Sequence, residues 1–179
     1  MASPGTTPLA GVGVPRLHLP ANVQSLDAQR MEDAESLHVA DQMLRQVPAV
    51  TVNEIQGNPF QMDLNYRGFT ASPLLGTAQG LSIYVDGVRV NEPFGDTVNW
   101  DLIPNSAIAG VDLVPGSNPV FGLNTLGGAL ALRTKSGFSH PGGKLEVSGG
   151  SFGRSNTEIE YGGNDGTLGA YIAGDWFRE

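Results

Sequence analysis

The chain has 179 residues, no cysteine and a formal net charge of −8, from 18 acidic against 10 basic side chains. Those values exclude a disulfide framework, thiol chemistry and thiolate metal sites, and they argue against a nucleic-acid surface, which would be basic. With 25 glycines, 12 prolines and 16% charged residues, the chain reads as one domain and part of a second, all-β or α+β and rich in turns.

No stretch approaches the ~18 consecutive apolar residues of a spanning helix, so a membrane role would have to come from strands. Residues 1–15 are small, Gly/Pro-rich and almost uncharged, and are expected to be a flexible linker. They lack the basic start and apolar core of a signal peptide. Leu17, Leu19 and Val23 suggest a short strand. Ser25 is an N-cap candidate before Ala28, and Ser36 is a second. Leu37, Ala40, Met43 and Leu44 recur at helical spacing with Asp41, Gln42 and Arg45 outward, which predicts a helix over Val39–Gln46 ended by Pro48. His18 and His38 have no partners at ligand spacing and are expected on the surface.

The stretch 64–90 organises the rest. A short strand ends at Tyr66-Arg67-Gly68, and another, 81–85, stops on Asp86-Gly87, a hairpin signal. Between them lies a nearly uncharged loop, 70–80. Before them come a strand at 50–52 and a polar loop at 53–61. After them come a second long loop, 91–104, with Phe94 and Trp100, a strand at 111–114 ended by Pro115-Gly116, a turn-rich stretch at 117–128, and a strand at 129–133. Long loops inside a compact domain are usually functional or disordered.

At Gly137 the texture changes. After a linker at 138–143, three segments alternate. Leu145 and Val147 share a face in the first, Thr157, Ile159 and Tyr161 in the second, and Leu168, Ala170, Ile172 and Trp176 in the third, with a turn at 162–166. The alternation fits outer-membrane barrel strands and a soluble antiparallel sheet equally well. The chain stops mid-strand at 176–179, as a piece of something longer would.

Catalytic chemistry finds little support. Asp86, Glu92, Asp96, Asp101 and Asp112 show no spacing that fixes a carboxylate pair or an EF-hand loop. There is no P-loop or dinucleotide fingerprint, no nucleophile elbow around Ser72 or Ser117, and no His/Cys cluster for zinc. The residues alone support a non-catalytic, loop-rich binding or structural domain followed by strands, with no cofactor.

An ordered set of motifs over residues 15–137 carries a family resemblance: Asp41-x-x-Leu44-Arg45-x-x-Pro48, Arg67-Gly68-Phe69, Tyr84-Val85-Asp86-Gly87, Ile103-Pro104, Val111-Asp112-Leu113-Val114-Pro115-Gly116-Ser117, Phe121-Gly122, Gly127-Gly128 and Arg133-Thr134-Lys135. The set resembles the plug domain of TonB-dependent outer-membrane receptors, and the remaining C-terminal segments resemble the start of their barrel. The resemblance implies an α+β plug domain, a small mixed sheet with short helices and long loops, followed by the first antiparallel strands of a transmembrane β-barrel of about 22 strands. The domains would be a flexible segment at 1–15, the plug at 16–137 and barrel strands at 138–179. The implied protein is not an enzyme and needs no cofactor. It sits in the outer membrane of a Gram-negative-type bacterium, with the plug in the barrel lumen. There it gates TonB-energised uptake of a scarce bulky nutrient of siderophore, haem, cobalamin or glycan type. Its partners would be TonB, its own barrel, that nutrient and outer-membrane lipid, and no nucleic acid. A signal-transducing outer-membrane receptor and a secreted non-catalytic binding module are the rival readings.

Carried over residue by residue, the resemblance implies ligand-facing plug loops with Asn53, Gln56, Asn58, Thr70, Ser72, Gln79, Asn91, Glu92, Phe94, Asn99 and Trp100. Phe94 and Trp100 would stack on the ligand. It implies a plug–barrel charge lock at Arg67. The family's second lock arginine is replaced by Pro115 here, so the lock would be rebuilt with Arg133 or Lys135. Pro48-Ala49-Val50 stands where Pro-Gly-Val is usual, and Asp112 where a Glu is usual. These departures suggest a divergent subfamily. Gly11-Val12-Gly13-Val14 is the best, and a poor, candidate for the TonB box.

Overall fold

The computed structural model describes residues 18, 21–33, 36, 38–54 and 57–178. The TonB-box candidate and Gln56 lie outside them. The backbone divides into two compact units, one running to Leu102 and including Ala109–Arg133, the other comprising Ile103–Ile108 and the chain from Thr134 onward.

The first unit is α+β. Its strands are β1 (Gln24–Asp27), β2 (Val50–Asn53), β3 (Asp63–Tyr66), β4 (Phe69–Ala71), β5 (Leu81–Val85), β6 (Val88–Arg89), β7 (Ile108–Pro115) and β8 (Gly128–Thr134), with helices α1 (Ala28–Asp33) and α2 (Val39–Gln46). They form a five-stranded sheet in the order β1-β7-β8-β5-β6 and a three-stranded sheet, β2-β3-β4. The centre is a parallel pair, β5 with β8, in register Leu81↔Gly128 to Val85↔Leu132. Central parallel strands are covered on both faces, which explains why Leu81, Ser82, Ile83 and Tyr84 are buried in succession, as are Gly128 to Leu132. Leu64, Leu81, Ile83, Leu113, Leu130 and Leu132 are fully buried and form the core. Each such side chain contributes about 1.5–3 kcal/mol relative to exposure.

The Asp86-Gly87 hairpin forms as expected, with φ of 48° and 83°, and Arg67-Gly68 forms a second one, with φ of 50° and 87°. Two successive left-handed residues make the turn whose twist matches its strands. The strand expected to stop at Gly68 instead turns there and returns as β4, with Tyr66 opposite Phe69.

The helix over Val39–Gln46 has the expected bounds, but its buried face is Val39, Ala40, Gln42 and Met43, while Leu44 is exposed. Gln42 turns inward because its Nε2 donates to the Met31 carbonyl at 2.9 Å, tying α2 to α1. Ser25 lies within β1 and does not cap α1; Asp27 Oδ1 accepts from the Arg30 amide instead. His38, expected on the surface, is buried and caps α2 in place of Ser36, its Nδ1 accepting from the Asp41 N–H at 3.1 Å.

Burial holds the His38 pKa below its ordinary 6.5, against the opposing charges of Asp41 and Glu54. The folded state therefore binds fewer protons than the unfolded state as pH falls below 6.5. Stability is complete above that value and declines below it, until the folded imidazole protonates and its cap is lost. Between pH 7.5 and 5.5 the expected slope is at most about 1.4 kcal/mol per pH unit. Denaturant melts of the wild type and His38→Asn, which keeps a capping acceptor, should differ in slope over that window. Parallel slopes would show that His38 is solvated.

The second unit is an antiparallel sheet of β9 (Gly142–Gly149), β10 (Ser155–Asn164) and β11 (Gly169–Arg178), in the order β11-β10-β9. Register places Leu145 opposite Ile159, Val147 and Trp176 opposite Thr157, and Ile172 opposite Tyr161. Leu145, Val147, Ile159, Tyr161, Ile172 and Trp176 thus share one face, and each is more than half exposed. The opposite face carries Lys144, Glu146, Asn156, Glu158, Glu160, Tyr171 and Asp175, and Glu160 is buried. A soluble sheet would bury its apolar side. Here the apolar side is exposed, and on the polar side Glu160 is buried while Lys144 and Asp175 remain exposed.

Candidate functional site

Four loops of the first unit gather at one end of its sheets. β5 and β8 start together, so the loops that enter them, 72–80 and 117–127, meet there: the Leu126 and Gly127 amides both donate to the Gly80 carbonyl, at 3.0 and 2.9 Å. The chain leaving β6 returns to the same end, where the Val90 amide donates to the Ile83 carbonyl at 2.9 Å. That places loop 91–99 beside the other two, and the Val98 amide donates to the Ser72 carbonyl at 2.9 Å. Asn53 pairs with Asp63, and Leu64 with both Val52 and Ala71, so β2 ends and β3 begins at the end of their sheet from which loop 72–80 also leaves.

A hydrogen bond joins two of these loops, and an ion pair ties one of them to β6. Arg89 Nη2 meets Asp96 Oδ1 at 2.8 Å, and Asn124 Nδ2 donates to Asp96 Oδ2 at 2.9 Å. Tyr84 donates its hydroxyl to the Phe121 carbonyl, anchoring the base of loop 117–127. Burial raises the Tyr84 pKa above its ordinary 10.0, which keeps the phenol a donor.

The residues expected to face a ligand divide into two groups. Asn53 and Glu92 are exposed, Asn58 and Asn99 are half-buried, and Phe94 is 79% exposed. Asn99 Nδ2 donates to Glu92 Oε1 at 3.1 Å, and Asn58 Oδ1 accepts from the Phe60 amide within its own loop. Thr70, Ser72, Gln79, Asn91 and Trp100 are buried, and their side chains do not face outward.

Each of those five corrections has a polar partner inside the fold as its physical reason. Thr70 lies in β4 and donates to Asn65 Oδ1 at 2.6 Å. Gln79 Oε1 accepts from the Ser72 amide at 2.9 Å and its Nε2 donates to the Ser72 carbonyl at 3.2 Å, while Ser72 Oγ accepts from the Leu74 amide. Asn91 Oδ1 accepts from the Ile83 amide at 2.7 Å, and its Nδ2 donates to the Leu81 and Asp96 carbonyls at 3.0 and 3.3 Å. Trp100 is packed inward, its Nε1 donating to the Ala71 carbonyl at 3.4 Å. Sequence reasoning misses loop 117–127 as a member of the cluster. Its signal was available in Val120, Leu123 and Leu126, three apolar residues interleaved with turn formers.

The three lock candidates fall in different places. Arg67 is exposed at its hairpin turn, its guanidinium 5.1 Å from the Tyr66 ring centroid. Arg133 Nε lies 3.4 Å from the buried Asp112 carboxylate of the same unit, as an ion-pair contact without hydrogen-bond alignment. Lys135 belongs to the second unit. Its Nζ meets Glu160 Oε2 of β10 at 2.7 Å, and the two side chains are 3% and 10% exposed. Tyr171 of β11 donates its hydroxyl to the same carboxylate oxygen at 2.6 Å and also approaches the Ser106 carbonyl at 3.2 Å. The Lys135 amide donates to the Ala107 carbonyl at 2.7 Å.

The chain beyond Lys135 lies flat against the polar face of β10 and β11. A Cβ on Gly137 would stand 2.2 Å from the Gly163 carbonyl oxygen and 2.4 Å from that of Ala170, and one on Gly162 would stand 2.1 Å from the His140 carbonyl oxygen. Only glycine permits that approach.

The family model described as the TonB-dependent receptor plug domain matches residues 15–129. No curated protein matches the sequence. Solved structures of similar fold include the P. aeruginosa receptor FpvA, described bound to heterologous pyoverdines, at 18% identity and TM-score 0.67, covering 89% of this chain and 20% of that one. The Acinetobacter baumannii siderophore receptor PiuA aligns at 23% identity and TM-score 0.66, covering 89% and 21%. The Yersinia pestis ferric yersiniabactin uptake receptor FyuA aligns at 20% identity and TM-score 0.64, covering 89% and 24%. The chain thus spans roughly a fifth to a quarter of those receptors. With the plug model matched over most of its length and an α+β unit followed by antiparallel strands, the chain belongs to the TonB-dependent receptor plug domain family.

Proposed function

We propose that this chain is the gate and first wall strands of an outer-membrane transporter that imports a scarce nutrient at the expense of inner-membrane energy delivered through TonB. The observation that carries this reading is the sheet of β9–β11, with its apolar side chains outward and its polar face met by the connecting segment at Glu160, Gly162 and Gly169. Lipid favours that arrangement, because a barrel strand presents alternate side chains to hydrocarbon and to the lumen. A closed barrel also satisfies every backbone group in the bilayer. The first unit would fill the lumen, with loops 54–62, 72–80, 91–99 and 117–127 turned towards the incoming ligand. In this reading Lys135 and Glu160 hold the segment that follows β8 against β10, within the second unit. Arg67 is the cation left for carboxylates of further wall strands, where a guanidinium gains paired hydrogen bonds. Arg133 is engaged by Asp112 and serves the plug's interior.

The test is import by cells that express the complete receptor, with and without TonB, from a panel of labelled siderophores, haem, cobalamin and oligosaccharides. Import of at least one nutrient should require both proteins. TonB-independent import, or receptor recovered as a soluble secreted protein, would sink the reading. In the same cells Arg67→Ala should raise the leak of small solutes, and an unchanged leak would remove Arg67 from the lock.

A further inference from the structure

The loops that meet at the starts of β5 and β8 present five large apolar side chains: Leu75, Phe94, Val120, Leu123 and Leu126 are 61%, 79%, 57%, 87% and 52% exposed. They stand on a tied platform. Leu75 lies against Gly95, where a Cβ would come within 2.4 Å of Leu75 Cδ2. Asp96 joins loop 91–99 to loop 117–127 through Asn124, and loop 117–127 is bonded to Gly80. Asp96 and Asn124 both hold left-handed φ, 55° and 59°, a conformation that non-glycine residues keep only when their surroundings impose it.

The charge on this platform has one sign. Loops 54–62, 72–80, 91–99 and 117–127 contain no Lys, Arg or His, and their ionisable residues are Glu54, Glu92 and Asp96. Arg89, at the root of the platform, pairs with Asp96 and the two charges cancel, which leaves Glu54 and Glu92 as the net charge. An anionic metal chelate would lose hydration here and meet carboxylates instead of cations. Ser72, Gln79 and Asn91 are turned into the scaffold, so the outward polar side chains, Asn53, Glu92, Asn118 and Asn124, are small beside the five exposed apolar ones. We infer that the platform receives an uncharged ligand with an extended apolar face, such as a neutral macrocycle, and rejects anionic chelates. The inference rests on the reading that these loops face the transported nutrient.

Two probes that share an anilinonaphthalene core separate the outcomes: N-phenyl-1-naphthylamine is uncharged, and 8-anilino-1-naphthalenesulfonate carries one negative charge. Each is titrated into the complete receptor in lipid nanodiscs, with the Phe94→Ser/Leu123→Ser double variant in matched nanodiscs subtracting partition into lipid. Because both side chains are exposed, the double variant should keep the wild-type melting midpoint. The platform-dependent signal should favour the neutral probe, and losing the two side chains should weaken that binding at least about tenfold. Leu123→Lys should raise affinity for the sulfonate alone. Identical titrations of wild type and double variant would show that the receptor's own further segments cover the platform, and would overturn the inference. Equal or tighter binding of the sulfonate by the wild type would overturn it as well. Binding in nanodiscs needs no TonB, so TonB-independent import would sink the transport reading and leave this result standing.

Discussion

Replacing Lys135 by methionine in the complete receptor should destabilise it by about 3–5 kcal/mol, the usual effect of removing one partner from a buried ion pair. Lys135 Nζ sits 2.7 Å from Glu160 Oε2, and both side chains are almost wholly buried. Methionine fills the stem's volume without the charge. Glu160 is then left in place with Tyr171 as a remaining donor. Replacing both charged groups by apolar ones of similar size is often neutral, so Lys135→Met/Glu160→Leu should recover most of the loss. Denaturant unfolding of the four proteins in detergent completes a double-mutant cycle. A Lys135→Met variant within about 1 kcal/mol of wild type, the value of an exposed pair, would mean that the pair is hydrated and holds nothing together.

Asn91→Ala should cost nearly as much, about 2–5 kcal/mol, because it strands several buried backbone groups at once. Edge strand β6 has only two residues, Val88–Arg89, and pairs with only Tyr84 and Val85 of β5. The Asn91 amide continues the ladder where the strand has ended, accepting from the Ile83 amide and donating to the Leu81 carbonyl. Alanine leaves both without a partner. The Ile83 amide should therefore lose hydrogen-exchange protection before its neighbours in β8 do. Asn91→Asp keeps the acceptor for Ile83 but turns an oxygen towards the Leu81 and Asp96 carbonyls, so it should also be destabilised. Uniform exchange across β5 and β8 in Asn91→Ala would mean that the side chain is replaceable by water.

Much of the fold is legible in the sequence because its signals are local. Val39–Gln46 is bounded by its periodicity and Pro48. Leu81–Val85 is bounded by alternation and Asp86-Gly87, and β9–β11 are recognised by alternation, although β10 continues to Asn164, into the turn expected at 162–166. The Arg67-Gly68 turn escapes such a reading because arginine is an uncommon left-handed residue, and its φ of 50° is imposed by strand pairing on both sides. His38 and Gln42 are misplaced for a related reason. A polar side chain is assigned to the surface unless a partner is visible, and their partners are backbone groups that only the fold brings near.

The candidate site is legible as loops and much less so as side chains. Loops 54–62, 72–80 and 91–99 do gather at one end. Within them polarity misleads: Ser72, Gln79 and Asn91 bond the loops' own backbone, while Leu75 and Leu123 stand in the open. A long loop near a sheet end must satisfy its amides somewhere, so its polar residues turn inward and its apolar ones are left outside. The lock divides in a way no spacing reveals, since Arg133 and Lys135 are two residues apart and meet Asp112 and Glu160 as ion pairs in different units.

The node at Lys135 also bears on the order of assembly. Two of its bonds span fewer positions than the pairing of β5 with β8, Lys135 to Glu160 across 25 and Tyr171 to Glu160 across 11, while Tyr171 to the Ser106 carbonyl spans 65. The two shorter contacts carry the smaller loop-closure cost and are expected to close before more distant strands find their neighbours. The segment leaving β8 is therefore expected to be clasped by β10 and β11 while both outer edges of their sheet are still unpaired. That clasp would form within the second unit alone, independently of the sheets of the first.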